Sequence, residues 1–136
     1  MTKKYTIADL KEVFALMDDW EDRYRFLIEL GEALPLMPVE LKTEATEVRG
    51  CTAQVWMVLL PNNDNKVDFR ADSDAQIVRG LIGVLYSIYQ GQSLNEVSSI
   101  DIDGIFEDLG LSGHISPNRR SGFFSMVERL KTLSMA

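Results

Sequence analysis

One cysteine in 136 residues, Cys51, limits how this chain can fold before any other feature does. A lone thiol closes no internal disulfide, and it cannot supply the paired thiolates of a Cys-rich zinc or iron–sulfur site. The fold must therefore rest on apolar burial. With 46% apolar residues, a chain of this length can bury roughly two-thirds of its unfolded surface, which predicts one domain over residues 1–136. The thiol itself is open to four uses: an inert core group, a nucleophile, a transient intermolecular disulfide or a carrier of a group bound to sulfur.

The residues around Cys51 place it on a connection between strands. Gly50 lifts the Cβ restraint on the backbone, so a strand arriving through Val48 can turn sharply and set the thiol at a loop tip. The apolar run over residues 55–60 is strand-like and is stopped by Pro61-Asn62-Asn63-Asp64-Asn65. In residues 66–71, Val67, Phe69 and Ala71 alternate with charged side chains, the mark of a half-buried strand. Strands over 47–50, 54–60 and 66–71 predict a small three-stranded antiparallel sheet in an α+β fold, with helices packed mainly on one face.

Helical periodicity fills most of the remaining chain. Thr6 with Asp9 has capping-box spacing ahead of Leu10, Val13, Phe14 and Met17. Asp18 or Asp19 opens a second helix carrying a Trp20, Tyr24, Leu27, Ile28, Gly31, Leu34 stripe, which Pro35 and Pro38 end. Ser73 with Gln76 predicts a cap for the longest helix, which Gly91 stops. Gly80 and Gly83 in its middle cost about 1 kcal/mol each relative to Ala, so a close approach, here expected against the sheet, should compensate. Ile105, Phe106 and Leu109 anchor a short helix before Gly110, and Ser116-Pro117 is an N-cap followed by a first-turn proline. Arg119 and Arg120 crowd the positive end of that last helix, which predicts an anionic partner for at least one of them.

Charge and hydropathy exclude some classes of partner. A formal charge of -7 disfavours nucleic acid, whose binders concentrate Lys and Arg. No apolar run approaches the ~20 residues that span a bilayer, and the charged start Met1-Thr2-Lys3-Lys4-Tyr5 precedes no secretory apolar segment. A cytoplasmic protein without membrane partners is expected.

Two kinds of chemistry can be drawn around Cys51. Arg49 beside it, with Arg119 or His114 if the fold brings them near, would favour a thiolate. A hydrolase of the Cys-His-Asn type can be assembled from Cys51, His114 and an asparagine, although no local spacing marks one. The apolar neighbourhood favours a carrier instead. A thiol tucked under its loop, with Val48, Trp56 and the helices as shelter, is protected by desolvation until the loop is drawn out, and Gly50 supplies the hinge. An interaction module with an inert Cys51 is the third reading.

The segments Val48-Arg49-Gly50-Cys51-Thr52-Ala53-Gln54-Val55-Trp56, Ala71-Asp72-Ser73-Asp74-Ala75-Gln76-Ile77-Val78-Arg79-Gly80-Leu81 and Leu111-Ser112-Gly113-His114-Ile115-Ser116-Pro117-Asn118-Arg119 occur in the order seen in the SufE family. With weaker support from Trp20, Tyr24 and Glu29-Leu30-Gly31, the chain resembles these sulfur acceptors of Suf iron–sulfur cluster assembly over nearly its whole length. It departs at Ala53, where members often carry Ser, and at Asn118 and Ser121. The resemblance implies that Cys51 accepts persulfide sulfur from a cysteine desulfurase, SufS-like or its paralogue, stimulates that enzyme and passes sulfur to the Suf scaffold. The protein would act as a carrier and activator rather than an enzyme. It would hold no cofactor, because the pyridoxal phosphate belongs to the partner. Arg49, Gly50 and Thr52 would form the supporting loop, with Arg119, His114 and Asp74 as candidates for the docking surface.

Overall fold

The computed structural model describes residues 5–135, so most of the charged start and the last residue lie outside them. Helix α1 (Ile7–Ala15) opens with the capping box that the sequence predicts: the Thr6 hydroxyl accepts from Asp9 N, and the Asp9 carboxylate accepts from Thr6 N at 3.0 Å. Asp19 caps α2 (Trp20–Glu32) through Asp22 N. A short 3-10 turn (Val39–Leu41) leads toward the cysteine loop. Strands β1 (Val55–Leu59) and β2 (Phe69–Ser73) pair antiparallel with Val55 opposite Ser73 and Leu59 opposite Phe69. Helix α3 (Gln76–Tyr89) follows, then a 3-10 turn (Leu94–Ser99), α4 (Ile102–Asp108) and α5 (Pro117–Met135).

The sheet has two strands among the described residues, not the three expected. Residues 47–50 contribute only a bridge between Glu47 and Trp56, with Val48 N donating to Val55 O at 2.8 Å and Met57 N to Thr46 O at 2.9 Å. A strand cannot grow there because both ends turn away. Upstream, the Thr46 hydroxyl is drawn back to Leu41 O at 2.6 Å; downstream, Gly50 takes φ +90°, a left-handed angle that costs a glycine little. The last strand also begins later than predicted. Val67 pairs instead with the chain leaving α3, donating to Gln92 O and accepting from Gly91 N.

Ser73 is consequently the end of β2 rather than a helix cap. Its hydroxyl accepts from Ala75 N at 3.2 Å, and α3 starts at Gln76 without a side-chain cap. What holds α3 is burial: every one of its residues except Gln76 and Arg79 is buried. The close approach at Gly80 and Gly83 is to α2, not to the sheet. A Cβ on Gly80 would stand 2.5 Å from Leu27 O, one on Gly83 would stand 2.7 Å from Leu30 Cβ, and one on Gly31 would meet Gly80 N at 2.8 Å. The two helices thus touch backbone to backbone, and α3 then packs on β2 while α5 packs on β1. The inward residues Val55, Met57, Phe69 and Ala71 are buried and alternate with half-buried Trp56, Arg70 and Asp72 on the outer face. One core therefore lies between the sheet and its helices.

Candidate functional site

Residues 49–54 form a short loop whose two feet are close together, and Cys51 sits near its tip. The backbone bond from Val48 N to Val55 O closes the base. The incoming arm is then tied to α5 and the outgoing arm to the residues that lead into α3. Arg129 of α5 reaches the incoming arm, donating to Ala45 O at 2.8 Å and to Glu47 O at 3.5 Å. Asp74, just before α3, holds the outgoing arm: its carboxylate accepts from Gln54 N at 3.0 Å and its own N–H donates to Gln54 O at 3.2 Å. At the turn, a Cβ on Gly50 would stand 2.6 Å from the Ser125 hydroxyl, so the glycine both turns the chain and lets it lie against α5.

This arrangement folds the thiol inward. Cys51 is half-buried, and its Sγ donates to the carbonyl of Gly122 at 3.6 Å, within the range of a weak thiol bond. Cys51, Thr52, Ala53, Val78, Leu81, Asn118, Arg119, Gly122, Phe123 and Met126 line a cavity of about 10 Å³. That is room for one small group. Burial alone pushes the Cys51 thiol above its ordinary range. Among the described residues no cation offsets that effect, so the isolated loop keeps the sulfur protonated, weakly nucleophilic and slow to oxidise.

The sequence-predicted residues divide between this cavity and the surface. Gly50 and Thr52 belong to the cysteine loop, and Arg119 lines the cavity with its side chain exposed. Arg49 is exposed and is not part of the cavity wall. His114 lies on the turn before α5, stacked on Trp20 with ring centroids 4.6 Å apart, and it does not line the cavity either. Asp74 is exposed but engaged with Gln54. The crowded arginines of α5 have no carboxylate partner among the described residues. Arg120 instead lies over Phe106 and Phe124, 5.4 and 5.9 Å from their centroids, so aromatic ring faces take the place of the expected anion.

Of the expected shelter, the helices line the cavity, and Val48 and Trp56 do not. Val48 is buried in the core, whereas Trp56 is half-buried with Lys42 5.3 Å above its ring. The cavity walls come from α3 and α5, through Val78, Leu81, Gly122, Phe123 and Met126, none of which local sequence had attached to Cys51. One signal was present. Gly122 occupies a helix interior at a cost of about 1 kcal/mol relative to Ala, which usually marks a packing requirement.

A model of the family described as SufE, Fe-S metabolism associated domain, matches residues 8–134. The chain belongs to the SufE family. It is 43% identical over 122 residues to an uncharacterized SufE-like protein of Rhizobium meliloti, covering 88% of this chain and 87% of that one. It is 37% identical over 125 residues to the sulfur acceptor protein CsdE of Escherichia coli, covering 92% and 85%. The solution structure of a hypothetical protein from Thermus thermophilus superposes with a TM-score of 0.78 over 95% of this chain and 93% of that one, and at 21% identity it speaks for the fold alone. Among the described residues, no helix is long and apolar enough to cross a membrane, and no group of three His, Cys, Asp or Glu side chains could hold a metal ion.

Proposed function

We propose that the protein is a sulfur acceptor for iron–sulfur metabolism, taking persulfide sulfur from a cysteine desulfurase onto Cys51. The observation that supports this most is a sole cysteine held half-buried in a small cavity under a two-footed loop, in a SufE-family chain related to a sulfur acceptor protein. The Cys51 thiolate attacks the terminal sulfur of the partner's persulfide. A new bond forms from Cys51 Sγ to that sulfur, the partner's S–S bond breaks, and its electron pair leaves on the partner's thiolate. Pyridoxal phosphate stays with the desulfurase, SufS-like or its paralogue, which releases the sulfur from cysteine. The carrier stimulates that enzyme by clearing its persulfide, then passes the sulfur to a Suf-type scaffold in the cytoplasm.

Shelter and reactivity alternate in this reading. Burial keeps the thiol protonated in the free protein, and docking draws the loop out, so that the sulfur regains solvent and the ordinary tendency to ionise. Arg119, exposed at the cavity edge, serves the docking surface, with His114 and Asp74 as its further candidates. Incubation with the desulfurase and cysteine should add one sulfur atom to the intact mass, and Cys51→Ser should abolish both this gain and the stimulation. A Cys51→Ser protein that stimulates normally overturns the proposal, as does equally fast labelling of Cys51 by a neutral thiol reagent with and without desulfurase.

A further inference from the structure

Gly122 is poorly explained by the resting state of the site. It lies inside the long helix α5, where glycine is among the poorest helix formers. The other closely packed helix glycines have an obvious reason to lack a side chain, because a Cβ on Gly31, Gly80 or Gly83 would come within 3.0 Å of the neighbouring helix. Gly122 differs. A Cβ there would meet Cys51 Sγ at 3.4 Å, Cys51 Cβ at 3.7 Å and Cys51 Cα at 3.8 Å, all ordinary van der Waals contacts. The free thiol would tolerate alanine, and the helix would prefer it.

What alanine would remove is the space beside the sulfur. The cavity between Cys51, Gly122 and the α3 residues Val78 and Leu81 is about 10 Å³, room for one small group. A sulfur bonded to Sγ would lie only about 2.05 Å from it. We infer that the missing side chain of Gly122 is the berth of the sulfur carried on Cys51, and that Gly122 is a positioning residue for the persulfide rather than for the thiol. This rests on the proposed sulfur-acceptor role. It adds a specific claim: filling the berth leaves thiol and fold intact but turns the carried sulfur out into solvent.

The persulfide can be loaded without a desulfurase, which separates the berth from the donor. The Cys51 thiolate first attacks the symmetric disulfide of thionitrobenzoate, so that the mixed disulfide forms and one thionitrobenzoate leaves with the electron pair. Hydrosulfide then attacks the Cys51 sulfur, an S–S bond to the incoming sulfur forms, and thionitrobenzoate leaves with the electron pair. Cyanide afterwards takes the terminal sulfur as thiocyanate, leaving the Cys51 thiolate and a proton. In Gly122→Ala the folded persulfide should be lost to cyanide several-fold faster than in the native sequence. Labelling of the free thiol should be unchanged and thermal unfolding equal or later, a combination that a merely structural role would not give. Val78→Ile, which narrows the same cavity from α3, should shorten the persulfide lifetime in the same direction and serves if Gly122→Ala fails to fold. Equal lifetimes in the native protein and a folded variant overturn the berth. A desulfurase that fails to load Cys51 while Gly122→Ala still exposes the chemically loaded sulfur removes the donor reading and leaves the berth standing.

Discussion

Two helix surfaces in this protein use glycine for opposite ends. Between α2 and α3, Gly31, Gly80 and Gly83 let backbones meet so closely that a single Cβ would collide. Between α5 and the cysteine loop, Gly122 leaves a side-chain site open that a Cβ could occupy at ordinary contact distance. The first interface excludes even a methyl group, as expected of a permanently packed core. The second leaves room beside the Cys51 sulfur, under a loop held by a few exposed or half-buried hydrogen bonds. Tight packing fixes the frame between α2 and α3, and packing is looser where α5 faces the cysteine loop.

The sharpest way to break this contrast is at its tight end. Gly80→Ala gains helix propensity but forces a Cβ onto the Leu27 carbonyl; a net loss of about 2–3 kcal/mol should follow in urea unfolding. A buried ionisable group on the same helix gives the next largest effect. The Tyr89 hydroxyl is pushed up to about 12 by burial, with the nearby Asp103 and Glu128 charges adding to the rise. Between pH 10 and 12 the unfolded chain releases that proton first. Stability should therefore fall by about 2 kcal/mol across this window and stay unaffected by the group below it, and Tyr89→Phe should flatten the alkaline limb.

At the loose end, Gly122→Ala should raise stability by up to about 1 kcal/mol in the same urea series. A loss as large as that of Gly80→Ala would erase the distinction between the two surfaces. Asp74→Ala should matter least to the fold, costing about 0.5 kcal/mol because the bond to Gln54 is exposed. Its effect belongs to the loop: alkylation of Cys51 in the free protein should accelerate, while the rate in urea-unfolded chains stays the same.

Local signals in the sequence were reliable where a few neighbouring residues decide the outcome. The Thr6–Asp9 capping box, the Ser116 hydroxyl accepting from Arg119 N and the turn at Gly50 all act within four residues. Ser73 misled because its spacing to Gln76 is that of a cap, yet pairing with Val55 claimed it for the sheet. Residues 47–50 carry strand-like chemistry, but the Thr46 turn and Gly50 confine them to a single bridge. The cavity walls were illegible because Val78 and Gly122 reach Cys51 only through tertiary packing. Helical periodicity shows that α3 and α5 each bury a face, without showing what that face meets. Val48 and Trp56, adjacent in sequence and apolar, stay outside the cavity, while the helices expected beside them supply its walls.

Arg129 and Gly122 are seven residues apart on α5, two turns along one face and about 10 Å along the axis. The helix therefore measures the loop. It grips the incoming arm at Ala45 and Glu47 and receives the thiol tip two turns earlier, so the contour length between those marks is set by a rigid ruler. One residue inserted between Glu47 and Cys51 would leave the grip in place and carry the sulfur past its notch, whereas one inserted in the hairpin turn at Asn63, remote from both marks, would not. Length, as much as chemistry, is a property that this loop cannot vary freely.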